Sequence, residues 1–317
     1  MIKRILASLV ALAALASAAA TAQAEWMPGG PIKMLIGFRA GGGADTQARL
    51  IAEELEERHG WKIIPEQMTG KGGAVLAAAL KEEPADGTAI GIIVTESLGY
   101  NMVAAKNAGY QQSDFTALTT TAGFQMGIVA LTSKGWNTFD ELVEAARAGE
   151  QIRFGAMSPK LADLAYLLGK AHGIEFNIVM TQGGKGVMDG LNAGDLDIGW
   201  GAGIQNNAVL AGDMINLASG LSTRLMVSPD APTINELGLP FSADGYFIFV
   251  SPDGIPAEAR EALSSAIASI VSDGDTEAGG FIEKAFGGSV VIAGEELDAL
   301  LAAEEAAAAA LLEEASR

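Results

Sequence analysis

Two glycine-rich loops are the strongest candidates for a binding site in this sequence. The first, "FRAGGGAD", spans residues 38–45, and the second, "TGKGG", spans residues 69–73. Neither matches the GxxxxGK[ST] pattern of a phosphate-binding loop or the GxGxxG pattern of a dinucleotide-binding loop. Both precede a stretch with helical spacing, so their backbone N–H groups and the helix N-termini can face an anion. A carboxylate would fit such a site as well as a phosphate.

Asp45, at the end of the first loop, has two compatible interpretations. It can be the N-cap of the following helix, accepting from the backbone N–H of Gln47 or Ala48, which is the commoner role of an aspartate at a helix start. It can also face a ligand, directly or through a bridging water. A bare carboxylate would repel a ligand carboxylate, so water or a ligand hydroxyl or amine would have to intervene. The sequence leaves both roles open.

Groups that could carry out catalysis are scarce. His59 and His172 each precede a glycine at a predicted helix end, where a histidine interacts favourably with the helix dipole. Neither has the spacing of a metal-ligand motif, and no serine lies in a GxSxG elbow. The absence of cysteine excludes disulfides, thiolate metal sites and a cysteine nucleophile. The sequence therefore predicts no enzyme, no metal site and no cofactor.

The N-terminus has the pattern of an export signal. Lys3 and Arg4 precede an apolar run over residues 5–20, and small residues follow in "AQA" at residues 22–24. The alternative, a membrane anchor, is disfavoured because the run is shorter than the roughly 20 residues that span a bilayer. We predict that residues 1–24 are a signal peptide, cleaved after Ala24, and that the protein is periplasmic.

Net charge and chain length narrow the possible partners and the domain organisation of the protein. The chain has 317 residues with 20 Lys and Arg against 39 Asp and Glu, a formal net charge of −19. Such an acidic chain disfavours nucleic acid and anionic membranes as partners. Single hydrophobic cores stop growing at about 250–300 residues, so two lobes are expected.

Strand-like and helix-like segments alternate in two blocks, each of which can form a mostly parallel sheet covered by helices. The first block predicts strands at residues 32–38, 62–68 and 88–95, with helices at 44–60 and 72–83. The second block predicts strands at 127–133, 152–157, 176–181 and 196–201, with helices at 138–149, 161–173 and 186–194. A further strand at 246–252 and helices at 256–274 and 295–316 follow. The Ala/Glu-rich last helix could mediate oligomerisation, but docking on its own chain is the favoured interpretation.

Several segments resemble one family in order and spacing. They are "GFRAGGGADTQARLIAEEL", "PEQMTGKGGAVLAAALKEEPADGTAIGI", "MTQGGKGVMDGLNAGDLDIGW" and "APTINELGLP" followed by "GYFIFVSPDGIPAEAREAL". The most specific are "PADGT" at residues 84–88 and "APTINELG" at residues 231–238. The chain resembles the periplasmic solute-binding proteins of tripartite tricarboxylate transporters, the TctC or Bug family, over essentially all of the sequence after the export signal.

The resemblance implies an α/β fold of the type II periplasmic binding protein class, a two-lobed Venus flytrap. Each lobe would be a mixed, mostly parallel sheet flanked by helices. Residues 25–123 and 225–317 would form lobe 1, residues 124–224 would form lobe 2, and the ligand cleft would lie between them. The chain is expected to be a monomer.

The implied function is capture of a small organic anion, a di- or tricarboxylate or related carboxylate. The protein would deliver it to the large and small membrane subunits of a tripartite transporter, without chemistry. The alternative is an accessory protein that presents a ligand to a membrane sensor kinase.

The resemblance also implies a set of ligand-binding positions, with departures from the usual family residues. Ala40 replaces the usual proline, Gln67 replaces an asparagine, and Tyr246 stands where tryptophan is frequent. Because these departures lie in the binding loops, the substrate is not named beyond an organic acid. The implied ligand-binding residues are Phe38, Gly41, Gly42, Gly43, Asp45, Gln67, Thr95, Glu96, Ser97, Ser158, Asp163, Thr181, Gln182, Gly183, Asp197 and Tyr246.

Overall fold

A computed structural model describes residues 26–317 of the chain. The predicted signal peptide, residues 1–24, lies outside the described residues. Within residues 26–317, no helix combines the length and the apolar character that crossing a membrane requires.

The first sheet is built from both ends of the described chain. Its strands are β1 (Ile32–Ile36), β2 (Ile63–Gln67), β3 (Ala89–Val94), β4 (Phe115–Gly123) and β10 (Tyr246–Pro252). They lie in the order β2-β1-β3-β10-β4. The pairs β1–β2 and β1–β3 are parallel, and β10 is antiparallel to both of its neighbours. Four of the five strands therefore run in one direction.

The second sheet comes from the middle of the chain and repeats this arrangement. Its strands are β5 (Met126–Leu131), β6 (Ile152–Ala156), β7 (Phe176–Met180), β8 (Ile198–Ala202) and β9 (Met214–Ser219). They lie in the order β7-β6-β8-β5-β9, and β5 is the antiparallel strand. In each sheet the antiparallel strand is the one by which the chain arrives from the other sheet. The predicted fold class, two mixed sheets flanked by helices, is confirmed.

Register places the binding loops side by side. Ile36 of β1 pairs with Gln67 of β2 and with Ile92 of β3. The carboxyl ends of these parallel strands therefore meet at one edge of the sheet, where ligands of open α/β sheets lie. All six residues of β3 are buried, because helices cover both faces of the sheet.

Helices follow most of the strands, as the apolar spacing predicted. Thr138 caps its helix by accepting from the backbone N–H of Glu141 (3.2 Å). His59 is the last residue of the first described helix and His172 is a helix C-cap, so the helix-end interpretation of both histidines is confirmed. The helices are α1 (Gly43–His59), α2 (Ala74–Leu80), α3 (Thr95–Leu98), α4 (Tyr100–Ala104), α5 (Phe139–Arg147), α6 (Pro159–Ala171), α7 (Gly183–Ala193), α8 (Asn206–Leu210), α9 (Ala257–Ser272), α10 (Glu277–Phe286) and α11 (Gly294–Ala315).

The last helix packs on its own chain. α11 contacts β4, α4 and α6, and it buries Leu297, Leu301, Ala308 and Leu311 along one side. The predicted docking role is therefore confirmed.

The chain passes between the sheets twice. Two residues separate β4 from β5, whereas a long segment joins β9 to β10. That segment stays close to the second sheet: the backbone N–H of Ile234 donates to the Ser219 carbonyl (2.8 Å), and that of Ala243 donates to the Gly220 carbonyl (2.6 Å). The lobe boundaries at residues 123/124 and 224/225 stay predictions, and these contacts favour a second boundary nearer to β10.

Candidate functional site

The loop after β1 turns tightly into α1. Gly42 is the N-cap of the helix, with no side-chain cap, and Gly41 has φ of 72°, a left-handed conformation that glycine adopts without strain. Asp45 is the third helical residue, and its Oδ2 accepts from the backbone N–H of Gly41 (2.8 Å). The N-cap interpretation of Asp45 is therefore wrong: the carboxylate reaches back to the residue before the cap, because the three glycines let the chain fold over it.

Asp45 is buried and holds the loop against the neighbouring strand. Its Oδ1 accepts from Arg49 Nε (2.9 Å) and from Gln67 Nε2 (3.1 Å). Gln67 Nε2 also lies 3.2 Å from the Phe38 carbonyl oxygen. Asp45 and Gln67 thus brace the loop, and their predicted contact with a ligand stays a prediction.

Two substitutions at Asp45 separate bracing from binding. Asp45→Asn keeps an acceptor for Gly41 but puts an NH2 group in place of Oδ1, which accepts from Arg49 and Gln67, so we expect a stability loss of about 1 kcal/mol. Asp45→Ala leaves the Gly41 N–H without its partner and should cost about 1–2 kcal/mol. Urea unfolding measures both. A fall in ligand affinity in Asp45→Asn at unchanged stability would show that the carboxylate contacts the ligand instead.

A third glycine-containing loop, at residues 182–184, approaches from the other sheet. Gln182, Gly183 and Gly184 follow β7 and begin α7, and Gly183 has φ of 73°. A Cβ placed on Gly183 would lie 3.6 Å from Phe38 Cδ1, so the two loops are in close contact. The starts of α1 and α7 therefore meet from opposite sheets.

A cleft lies between these two helix starts, and its roughly 540 Å³ of empty space includes the solvent at its open mouth. Its wall is largely apolar and comes from both sheets and from the first crossing between them. The lining residues are Phe38, Arg39, Gly42, Gly43, Ala44, Val94, Glu96, Phe124, Met126, Met157, Leu161, Gln182, Gly183, Gly184, Lys185, Ala202, Ile204 and Phe247.

Few charged side chains line the cleft. Arg39 Nη1 pairs with Asp189 Oδ2 (3.0 Å), and Lys185 also pairs with Asp189. Two cations sharing one carboxylate leave one positive charge in excess beside the starts of α1 and α7. Glu96 is the acidic residue of the lining, and 4% of it is exposed.

The structure brings only part of the predicted ligand-binding set to this cleft. Thr181 lines a smaller pocket beside it, and Gly41 lies in the turn described above. The predicted residues that line the cleft are Phe38, Gly42, Gly43, Glu96, Gln182 and Gly183.

Three predicted residues at the end of β3 make contacts within the protein. Thr95 Oγ1 accepts from the backbone N–H of Tyr246 (3.3 Å), which starts β10. Ser97 Oγ donates to the Gly72 carbonyl (2.7 Å) and so ties the second glycine-rich loop to α3. Thr95, Ser97 and Tyr246 therefore position the cleft edge, and ligand contact by them stays a prediction.

Two predicted residues of α6 also have protein partners. Ser158 caps the helix by accepting from the backbone N–H of Leu161 (3.3 Å). Asp163 accepts a short hydrogen bond from the Tyr100 hydroxyl on α4, which joins α6 to the opposite sheet. Burial raises the pKa of Tyr100, and the bond to Asp163 raises it further. Ser158 therefore fixes the start of α6, and the Tyr100–Asp163 bond joins α6 to α4.

Asp197 lies far from the cleft. It precedes β8, whereas the cleft forms at the carboxyl end of that strand, five residues or about 16 Å away. Its carboxylate accepts from Arg153 Nε and Nη2 (both 2.9 Å) and pairs with Lys134. We call these three side chains the Asp197 network. The structure does not bring Asp197 to the candidate site.

Sequence reasoning missed two classes of lining residue. The first class is basic residues: Arg39 and Lys185 lie next to glycines that begin a helix. A basic residue in that position could have indicated a contact with an anionic ligand. The apolar residues carried no such signal, since Val94, Phe124 and Phe247 look like ordinary core residues in sequence.

The cleft offers binding groups and few reactive ones. Neither histidine lines it, and within residues 26–317 no three Asp, Glu or His side chains cluster as a metal site would require. The arrangement can bind a small molecule through backbone N–H groups, the positive charge beside the helix starts and an apolar wall.

Comparison with known proteins gives the family. The family model described as tripartite tricarboxylate transporter family receptor, TctC, matches residues 47–277. A UPF0065 protein of Agrobacterium vitis, from the TAR-I ttuE-ttuC' intergenic region, is 28% identical over 254 residues, which are 78% of this chain and 72% of that protein.

Solved structures show the same fold. An R. palustris protein with adipate has a TM-score of 0.82 and 22% identity, covering 92% of this chain and 99% of its own. MatC from Rhodopseudomonas palustris with bound malate has a TM-score of 0.78 and 19% identity, covering 90% and 100%. Since the family model matches well over half of the sequence, the chain belongs to the TctC family of tripartite tricarboxylate transporter receptors.

Proposed function

We propose that this protein is a periplasmic receptor that captures a small organic anion, a di- or tricarboxylate or a related carboxylate, between its two lobes. It then delivers the anion to the large and small membrane subunits of a tripartite transporter, without converting it. One observation carries the proposal: the starts of α1 and α7, from opposite sheets, line one cleft.

Helix starts suit an anion for two reasons. The first backbone N–H groups of a helix have no acceptor within the helix, and the helix dipole favours negative charge at that end. α1 has 17 residues and α7 has 11, so both are long enough to present a dipole. Gly42, Gly43 and Gly184 have no side chains, so a ligand oxygen can approach these backbone groups closely.

The charged side chains at the cleft agree with an anionic ligand. Arg39 and Lys185 share Asp189, so the pairing neutralises one of the two positive charges. The remaining charge can pair with a carboxylate. The chain as a whole is acidic, so the positive charge beside the helix starts is opposite in sign to the net charge of the protein.

The relatives support the same ligand class. The two structures named above hold adipate and malate, which are both dicarboxylates. At 22% and 19% identity these likenesses indicate a class of ligand for this chain and do not identify the ligand.

A thermal-shift screen over mono-, di- and tricarboxylates tests the proposal. A ligand that binds the native state alone stabilises it by RT ln(1 + [L]/Kd), about 2.7 kcal/mol at 100 times Kd. At least one organic acid should therefore raise the melting temperature, and isothermal titration calorimetry should give one site per chain. If no carboxylate in the screen produces a shift, the carboxylate proposal is overturned.

Lys185→Gln checks whether the cleft supplies the binding charge. The substitution removes the cation beside the α7 start and leaves Arg39 to pair with Asp189. We expect about 10-fold weaker binding of the acid found in the screen, the lower end for a charge-assisted hydrogen bond. Lys170→Gln, on the exposed end of α6, is the matched control and should bind normally. Equal affinities in both variants would argue against this cleft.

The second part of the proposal is that the protein delivers the bound anion to the membrane subunits of a transporter. Uptake of the identified acid into cells or vesicles carrying the membrane subunits should require this protein, and deleting residues 1–24 should abolish uptake in cells by keeping the protein in the cytoplasm. Binding without any effect on uptake would favour a different partner.

A further inference from the structure

The start of α6 meets the first-sheet side of the molecule directly behind the wall of the cleft. Met157 and Leu161, on either side of this helix start, line the cleft. Their neighbours in the chain contact α4 and the loop 69–73, both of which follow strands of the first sheet. We call this contact the α4–α6 junction, and its residues are Gly72, Tyr100, Asn101, Ser158, Lys160 and Asp163.

Gly72 brings the two sides of the junction close together. It has φ of 61°, and a Cβ placed on it would lie 2.7 Å from Asn101 Nδ2 and 2.9 Å from Ser158 Cβ. Both distances are shorter than van der Waals contact, so glycine is the residue that fits here without a shift of its neighbours. The second glycine-rich loop of the sequence therefore contributes a close contact between the two sides.

Two hydrogen bonds cross the junction. The hydroxyl of the buried Tyr100 on α4 donates a short bond to the Asp163 carboxylate on α6. The Asn101 side chain accepts from the backbone N–H of Lys160 (3.4 Å) and donates to the Gly72 carbonyl (3.3 Å). Bonds to a charged group are roughly twice as strong as neutral ones, so the Tyr100–Asp163 bond is the stronger of the two.

Opposite charges also meet at the junction. Lys160 comes from the second-sheet side and has 9% of its surface exposed. Burial raises the pKa of Glu304 on α11, and the positive charge of Lys160 opposes that rise. Since α11 contacts both α4 and α6, the last helix of the chain covers the junction and adds an attraction across it.

We propose that the α4–α6 junction is a latch that holds the two lobes together over the cleft, with the Tyr100–Asp163 bond as its main element. Both partners are protein groups, so the bond needs no ligand and favours the closed arrangement in the free protein. Tyr100 and Asp163 are then positioning residues. The inference concerns the opening of the protein itself, and it rests on the proposed function only in taking the cleft as the binding site.

The distance between the two lobes can be measured directly because the chain has no cysteine. Lys62→Cys and Glu175→Cys place spin labels at exposed positions just before β2 and β7. These are the edge strands farthest from the two crossings, so opening changes their separation most. Double electron–electron resonance on the mature protein, without any added compound, gives the distribution of distances.

The latch predicts one main, short distance in the protein with Tyr100 intact and an added longer distance in Tyr100→Phe. The ratio of closed to open molecules should fall about 10-fold, the lower end of the effect of a hydrogen bond to a charged group. An unchanged distribution in Tyr100→Phe, or a protein that is already mainly open with Tyr100 intact, would overturn the inference.

Tyr110→Phe is the matched control. The Tyr110 hydroxyl is also buried and donates to the Ser97 carbonyl (2.7 Å), but both residues belong to the first-sheet side. The control should lose a similar amount of stability and keep the short distance. Equal opening in both tyrosine variants would show that the longer distance reports general loosening, and the latch would be rejected.

Asp163→Ala tests the same bond from its other end. It should open the protein as much as Tyr100→Phe does, and the double variant should open it no further, because both changes remove one shared bond. Additive opening would mean that the two residues act separately and would overturn the pair as the latch. A silent carboxylate screen would overturn the proposed function and leave these distances valid, whereas unchanged distances would leave carboxylate binding intact.

Discussion

Replacing Gly184 with tryptophan is expected to reduce ligand affinity by at least about 100-fold, or 2.7 kcal/mol. A Cβ on Gly184 would lie 3.6 Å from Ile204 Cδ1 and 3.7 Å from Ala202 Cβ, and both residues line the cleft. The indole would therefore occupy the space that the ligand needs and cover the start of α7. Titration calorimetry with the acid identified by thermal shift measures the loss.

Gly184→Ala is the matched control. The same distances are ordinary van der Waals contacts, and Gly184 has no left-handed backbone conformation, so a methyl group fits. Alanine should also stabilise the helix by about 0.5–1 kcal/mol relative to glycine. A methyl group leaves most of the cleft open, so binding should weaken far less than in Gly184→Trp. Normal affinity in Gly184→Trp, with an unchanged melting temperature, would place the ligand elsewhere.

The fold was largely predictable because its central strands and amphipathic helices carry strong local patterns. β1, β3, β6 and β8 are short apolar runs, and the helices that follow show regular apolar spacing. The strands β4 and β9 were not predicted. β4 contains Thr116 and Thr119–Thr121, so its hydrophobic pattern is weak, and its partner β10 lies more than 120 residues away in the chain. Such long-range pairing leaves little trace in the local sequence.

The candidate site was predicted less well than the fold, for a physical reason. Residue type indicates what a group can do, but the register of the sheets decides where it lies. Asp45 and Gln67 are polar residues beside a glycine loop, and the structure turns them towards each other. Arg39 and Lys185 come from opposite sheets and meet only through their common partner Asp189, a contact that no local pattern contains.

Asp197 is the clearest case of a residue whose type suggested a ligand contact but whose position in the sheet places it away from the cleft. Its contacts there predict a large effect on stability. Burial raises the pKa of the Asp197 carboxyl, but hydrogen bonds from Arg153 and Lys134 outweigh burial and hold the pKa well below its ordinary value. The backbone N–H of Arg153 adds a further bond (2.8 Å). The Asp197 network therefore joins β6, β8 and the end of β5 at the edge opposite to the cleft.

Asp197→Asn is expected to cost about 2 kcal/mol of stability at pH 7. Removing one partner of a fully buried pair costs roughly 3–5 kcal/mol. The value is smaller here because the Lys134 and Arg153 side chains are 32% and 38% exposed and therefore partly screened. The melting temperature should fall by roughly 4–8 °C. Asp195→Asn, on the exposed turn just before it, is the control and should fall much less.

The lowered pKa of Asp197 determines how the stability contributed by its network changes with pH. The pKa of Asp197 is lower in the folded state than in the unfolded state, so the unfolded state binds the proton first. The stabilisation is therefore complete well above pH 4, near the ordinary value for aspartate, and is lost as the pH falls below it. The difference in stability between the parent protein and Asp197→Asn should shrink in acid. Ligand affinity at pH 7 should not change, and a selective loss of affinity at unchanged stability would restore Asp197 to the ligand site.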